Sequence, residues 1–449
     1  MSSIIASCSN GLALLYSRFS CLYRHMLKKF LHLRSDVMYS NSLFGMASTF
    51  VISFFGFFFW IFCAKLFSTE QVGLATTLVA SMALILQLSN IGLDNGLIRF
   101  LPKSDKKNEM INSSFVIIGI LGLVISTGFI LGLHIFSPRL LFVRDNLFYA
   151  IFYVISMTVA CITVMTESVF TALRSQKYIF YKNAIFSVLR MLFPFILLGF
   201  GAFGMYTAWM VATAICFLYC LFIMKRRYGF TPRLSLDIPV VKTISRYSFG
   251  NYVIGFMGLL PTLLLPIVIT NTLGPKQSAY FYIATMIANL LYVIPFATSQ
   301  SLYAEGSHDE EKLIHHLRKA IKMITLSLIP SALFLVFFGK YILMFFGKEY
   351  TDEGFRLLQL FSVAGIFVSI NYVFLTLLNV KRRMRELVVV NAIGMVSLIG
   401  LSLALLPYSL VGIGIAWIIG QIVMNICYAF VFFFKPVLNS FRKPVLVSA

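Results

Sequence analysis

The sequence predicts an all-α integral membrane protein of about twelve transmembrane helices in two parallel six-helix repeats. Three observations predict it. Hydrophobic residues make up 59% of the chain and charged residues 12%, against about 25% charged in a soluble globule, and the mean hydropathy is +0.89. Twelve stretches supply the run of about 20 apolar residues that a spanning helix needs. Finally, a pattern over residues 39–209 returns about 208 positions later.

The spans of the first half are expected at 41–64, 72–98, 113–136, 147–172, 183–203 and 205–224. Those of the second half fall at 248–271, 277–301, 321–346, 356–379, 387–406 and 409–434. Spans 72–98 and 277–301 are long and polar-spotted, so they are expected to tilt or project beyond the hydrocarbon. Pro194, Pro261, Pro266, Pro295 and Pro330 lie inside spans, with Gly255 and Gly258 nearby. Such residues kink membrane helices and free carbonyls, and they are also simply commoner there. Between the halves runs a basic linker, 225–247, where Pro232 and Pro239 prevent a continuous helix. The segment 302–320 is acidic at Glu305, Asp309, Glu310 and Glu311, then basic, and reads as a solvated amphipathic helix. The longest loops on the opposite side, 137–146 and 347–355, are about ten residues each, too short for a catalytic domain.

Residues 1–38 form an N-terminal segment, with the first bundle over 39–224, the second over 248–434 and a tail over 435–449. Residues 11–23 are apolar but too short to span, and a basic run of Arg24, Lys28, Lys29 and Arg34 follows. No signal peptide is expected. Translation is expected to begin at Met26 or Met38, with an interfacial amphipathic segment as the alternative.

A net charge of +21 invites a nucleic-acid reading, which the placement of the charges excludes. With the N-terminus assigned to the cytoplasm, 29 Lys and Arg fall in cytoplasmic segments and seven outside. This is the positive-inside bias, so both termini are expected in the cytoplasm of an inner membrane. The partner implied is the lipid bilayer. Seven cysteines are scattered, and Cys216 and Cys220 share a helix face as packing residues. No cofactor or metal motif appears, nor any nucleotide-binding loop.

The repeat pairs Tyr39-Ser40 with Tyr247-Ser248, Leu66 with Leu273 and Asn183-Ala184-Ile185 with Asn391-Ala392-Ile393. Its best match sets Gly204 to Trp209 (GMYTAW) against Gly412 to Trp417 (GIGIAW), using two of the chain's three tryptophans. Six spans is an even number, so both halves enter the membrane in the same direction. Their pseudo-twofold axis therefore lies along the membrane normal, an architecture of alternating-access transporters with the substrate site between the halves.

The run Phe59 to Thr77 (FWIFCAKLFSTEQVGLATT), with Leu88 to Leu93 (LSNIGL) and Leu97 to Pro102 (LIRFLP), resembles polysaccharide-export flippases of the multidrug/oligosaccharidyl-lipid/polysaccharide superfamily. There the first external turn reads like Leu-Phe-Ser-x-Glu-x-x-Gly, and the Gly-x-x-x-Ala-Trp openings are similar too. The resemblance spans residues 39 to 434. It implies two six-helix bundles around a central cavity and an isoprenoid-diphosphate-linked oligosaccharide as cargo. Other polysaccharide assembly proteins are the partners such a role implies.

An ionisable residue inside a span is a functional candidate. Arg190 lies about 13 Å deep and Glu167, on the adjoining helix, about 10 Å deep at 1.5 Å per residue. Either they form a structural ion pair, or Arg190 faces the cavity and grips diphosphate while Glu167 modulates it. The repeat mate of Arg190 is Leu398, so any site is asymmetric. Gln87, Asn90, Asp94 and Asn95 share one broad face of the second span, which is expected to line the cavity. Asp94 either carries a coupling ion or pairs with Arg99. Asn251, Asn289, Gln300, Gln421 and Asn425 offer hydrogen bonds to sugar, or to neighbouring helices.

Two other transporter classes and one enzyme class compete. A multidrug antiporter shares the fold but favours cavity carboxylates, whereas the deepest charge here is an arginine. A major-facilitator transporter carries a Gly-x-x-x-Asp-Arg-x-Gly-Arg-type loop; Arg99 to Lys107 (RFLPKSDKK) stands in its place. A polymerase or ligase needs a substantial external loop, so no enzyme is expected.

Overall fold

The structure is a computed structural model that describes residues 37–308 and 312–434. The apolar stretch 11–23, the basic run after it, Asp309 to Glu311 and the tail 435–449 lie outside the described residues. The first half comprises α1 (Val37–Leu66), α2 (Thr69–Asn90), α3 (Leu93–Phe100), α4 (Lys107–Leu131), α5 (Leu147–Ala172), α6 (Gln176–Ile196) and α7 (Gly201–Tyr228). The second comprises α8 (Ile238–Thr272), α9 (Pro275–His308), α10 (Leu313–Met344), α11 (Lys348–Val380), α12 (Met384–Ala404) and α13 (Ser409–Ala429). Among the described residues twelve helices are long and apolar enough to cross a membrane, all of these except the short α3.

The duplication extends to backbone geometry. Arg174 and Arg382, 208 positions apart, both adopt positive φ (52° and 55°) after their helices. The amides that follow close the same six-residue turn, Ser175 to Phe170 O at 2.8 Å and Arg383 to Leu378 O at 2.9 Å, a Schellman-type ending. Gly204 and Gly412 explain the tryptophan-bearing motif. A Cβ on either would lie 2.3 Å from Leu197 O or 2.0 Å from Leu405 O, so only glycine lets these helices begin against the preceding turn.

Five boundaries differ from the sequence expectation. Span 72–98 is not one helix: α2 stops at Asn90, Ile91 and Gly92 take left-handed φ of 41° and 82°, and α3 resumes at Leu93. The turn between α6 and α7 lies at Leu197–Phe200, so Phe203 already belongs to α7. Segment 137–146 is mostly short helical turns, and α11 starts at Lys348 inside the expected loop 347–355. In the linker, only residues 229–237 are non-helical. The internal prolines leave their helices continuous.

Within each half, polar side chains bridge helices. Asn183 Nδ2 donates to Ser48 Oγ at 2.7 Å, Ser81 Oγ and Tyr153 OH lie 2.9 Å apart, and Asn371 Nδ2 donates to Gln421 Oε1 at 2.6 Å. In hydrocarbon such a bond is typically worth about 0.6–2 kcal/mol. A shared core of buried residues from both halves includes Phe59, Trp60, Met82, Phe281, Ala284 and Phe361.

Candidate functional site

The halves meet around a cavity of about 400 Å³. From the first half its wall includes Gly56, Trp60 (α1), Ala80 (α2), Arg190 (α6) and Trp209 (α7). From the second come Thr262 and Pro266 (α8) with Tyr282, Thr285 and Asn289 (α9). Pro266 has no N–H, so Thr262 O lacks its i+4 donor and stays available as an acceptor.

Arg190 dominates this wall. It is 3% exposed, and its guanidinium carbon lies 4.4 Å from the Trp209 ring centre and 5.0 Å from those of Phe59 and Phe186. Gly56 leaves room for it: a Cβ there would stand 3.1 Å from Nη2. Nε and Nη2 are buried with no hydrogen-bond partner among the described residues. Each desolvated cation–π contact offers about 2 kcal/mol, whereas burying the ion costs several and each orphaned donor about 1–3 more. The aromatic cage therefore holds the cation without satisfying it. An incoming anion would do so.

Opposite Arg190, Thr285 Oγ1 is also buried without a partner. Tyr282 packs on Trp60 with ring centres 4.8 Å apart. The cavity thus offers unsatisfied hydrogen-bonding groups from both halves. No carboxylate is among its lining residues. A second, apolar pocket of about 480 Å³ shares Phe57 and Leu290 with it and continues between α1, α9 and α10.

Of the residues singled out in the sequence, the structure brings Arg190 and Asn289 together on the cavity wall. The Glu167–Arg190 ion pair does not form. Lys182 Nζ donates to Glu167 Oε1 instead, because Lys182 lies two turns from Arg190 on α6, on the Glu167 side. Nor do Gln87, Asn90 and Asp94 line the cavity; α2 offers Val79, Ala80 and Ala83 there. Gln87 O accepts from Tyr252 OH at 3.0 Å, and buried Asn90 accepts from the Asp94 amide at 3.4 Å, across the α2–α3 break. Asp94 Oδ1 takes the Asn95 amide at 2.7 Å. Gln300 is exposed, Gln421 bonds Asn371, and Asn425 donates to Phe367 O at 3.3 Å. The side chain of Asn251 lies outside the described residues. The sequence reading missed the aromatic cage, Thr285 and Lys182; the cage joins Phe59, Phe186 and Trp209 from three helices, and no sequence signal marked it.

The family described as polysaccharide biosynthesis protein matches residues 62–354. The chain belongs to this family. Among solved structures it is similar to the lipid II flippase MurJ in an inward closed conformation, at 16% identity over 87% of each chain with a TM-score of 0.71. It is also similar to an outward-facing multidrug resistance MATE family transporter of the MOP superfamily, at 18% identity over 88% of this chain and 95% of that one, with a TM-score of 0.61. A MOP superfamily transporter from Pyrococcus furiosus, described as having a binding pocket of reverse polarity, matches at 15% identity over 91% and 97%, with a TM-score of 0.59. At these identities the likeness is one of fold, that of the MOP superfamily. No curated protein matches the chain.

Within this polysaccharide-biosynthesis fold, the segment Leu66 to Gly73 has a physical task. Ser68 caps α2, taking the Gln71 amide at 3.3 Å while Gln71 Oε1 takes the Ser68 amide at 3.2 Å, a capping box. One turn on, Gly73 meets the second half: a Cβ would fall 1.8 Å from Pro275 O. The motif's glycine is one of the points where the halves touch.

Proposed function

We propose that this membrane protein is a transporter, not an enzyme, and that it flips an isoprenoid-diphosphate-linked oligosaccharide from the inner to the outer leaflet for surface polysaccharide synthesis. It works in the inner membrane by alternating access, with both termini cytoplasmic. The single observation that carries this reading is Arg190, a caged cation on the wall of a cavity between the halves, whose Nε and Nη2 have no hydrogen-bond partner among the described residues. A diphosphate is the cargo group that accepts from a guanidinium through two oxygens at once. Thr285 and Asn289 reach the same group or its first sugar from the opposite half. The apolar pocket beside Phe57 and Leu290 takes the isoprenoid, so that only the polar head, costly in hydrocarbon, traverses the cavity. Cargo that binds both halves couples its own movement to theirs.

The test is deletion of the gene in its host, with extracted lipids analysed by mass spectrometry and surface glycan quantified alongside. Accumulation of an isoprenoid-diphosphate oligosaccharide with loss of one surface polymer is expected, reversed by the wild-type chain. Unchanged lipids and glycan, in a strain without a redundant flippase, overturn the reading in favour of small-molecule antiport on the same fold.

A further inference from the structure

One cavity of the second half has no part in the proposed transport path. It is a groove of about 650 Å³ between α10 and α11, running from Leu313 to Ile329 and from Lys381 back to Ile366, with Phe432 and Phe433 along one flank. These seventeen residues of α10 correspond to about 25 Å of helix, longer than the ~15 Å depth of one hydrocarbon leaflet. The groove shares no lining residue with the central cavity or with the apolar pocket beside it. Thr325, Ser369 and Lys381 are the polar residues of its wall.

The repeat indicates what fills it. In the first half, the chain itself covers the start of the corresponding face of α4. Residues 229–237 leave α7 and fold back, seating buried Phe230 against Phe115 with ring centres 5.8 Å apart. Asn112 and Ser113 of α4 hold that strap by its backbone. Asn112 donates to Thr231 O at 3.0 Å and accepts the Arg233 amide at 3.1 Å, and Ser113 accepts the Asp237 amide at 2.9 Å. The repeat mates of Asn112 and Ser113, 208 positions on, are Ala320 and Ile321. Neither side chain can hydrogen-bond, and Ile321 lines the groove. A peptide strap there would leave backbone amides and carbonyls unsatisfied in an apolar trough, at about 1–3 kcal/mol each. An alkyl chain has none to satisfy.

Charge at the groove's mouth identifies the head group. Lys381 closes the basic end, its Nζ 4.5 Å from the Phe432 ring centre. Arg318 and Lys322 on α10, both exposed, lie next in sequence to the groove residues Leu317 and Ile321. No carboxylate is among the lining residues.

We propose that this groove binds one anionic phospholipid, with an acyl chain between α10 and α11 and its phosphate at Lys381. The site is independent of the cargo pathway.

The test uses the purified full-length chain in detergent, exposed to phosphatidylglycerol or phosphatidylcholine of identical acyl composition and read by native mass spectrometry. One phosphatidylglycerol is expected to be retained in preference to phosphatidylcholine. Lys381→Gln lowers that retention about fivefold, the worth of one cation at a lipid surface, and leaves phosphatidylcholine unchanged. Ile370→Trp, which fills the groove from a half-exposed position, removes both lipids while the thermal unfolding profile stays that of wild type. Equal retention of the two lipids, or wild-type retention by both variants, overturns the proposal. So does retention of an isoprenoid diphosphate in place of phospholipid. Lipid binding that appears only after removal of residues 435–449 overturns it as well, because the chain's own tail would then be the occupant.

Discussion

Arg190 and Lys182 sit two turns apart on α6, and their surroundings assign them opposite tasks. Lys182 has a carboxylate partner, whereas Arg190 has only aromatic faces. Arg190→Ala is therefore expected to abolish polymer export at normal protein level, measured as surface glycan per unit of membrane-inserted protein. Arg190→Lys keeps the charge but loses the flat guanidinium against its rings. That is about 1–2 kcal/mol, or a factor of about 5–30 in cargo occupancy, so export should be intermediate. Glu167→Gln should do the reverse. Removing one partner of a fully buried pair costs about 3–5 kcal/mol, but the Glu167 side chain is 39% exposed, so about 1–2 kcal/mol is expected after screening. Thermal unfolding should shift down while export per folded molecule holds. Equal loss of protein level in Arg190→Ala and Glu167→Gln would mean that both residues are structural. The depth of Arg190 was readable from the sequence because no other Lys or Arg lies so far inside a span. Its partner was not: counting residues places Glu167 at a similar depth but cannot show which cation of α6 faces it.

At the scale of elements, the break between α2 and α3 separates Asp94 and Asn95 from Gln87 and Asn90, four residues that the sequence placed on one helix face. Above the break α2 presents small residues, Ala80 and Ala83, to the cavity. Gln87 and Asn90, in the last turns of α2, and Asp94, beyond the break, bond to backbone and a neighbouring helix instead. A polar stripe read at 3.6 residues per turn assumes an unbroken helix, and two left-handed residues end that assumption. The signal was present in Asn90-Ile91-Gly92, since Gly after a helix commonly marks its C-terminus, but the polar residues around it were read as a cavity-facing stripe, so the span read as continuous. Gly92, at φ 82°, should resist a side chain. Gly92→Ala is expected to cost about 1–2 kcal/mol, seen as a lower unfolding temperature of the purified chain, whereas alanine at Gly45, which has open space around it, should leave that temperature unchanged. The duplication was far more legible than the break, because Gly204 and Gly412 are held by the same backbone contact and no other residue fits there.

For the molecule as a whole, the end poor in Lys and Arg is where the halves are shut. Glu349 Oε2 accepts from Thr69 Oγ1 at 2.8 Å and from Tyr280 OH at 3.2 Å. Thr77 meets Thr270, Ser137 donates to Asn271 Oδ1 at 3.1 Å, and Gly73 lies against Pro275. Small and hydroxyl side chains allow the two backbones to approach closely, as membrane helices do where they pack tightly. None of this was readable from the sequence, because each contact between the halves joins residues 134 to 280 positions apart and depends on which conformation the halves adopt. Alternating access requires every one of these contacts to separate in each cycle, since a site between two halves can reach the far side only by opening there. Cysteines placed at Thr69 and Glu349 in a cysteine-free background, joined by a short bis-maleimide, should therefore hold this end closed and stop export. The same reagent on either single-cysteine chain should have no effect. Gly73→Leu acts in the opposite sense: a side chain that cannot fit against Pro275 holds the halves apart, and the paired cysteines should then cross-link more slowly than in the Gly73 chain. If the cross-linked protein still exports polymer at the uncross-linked rate, the halves do not part at this end, and the cargo must leave by a lateral route that bypasses it.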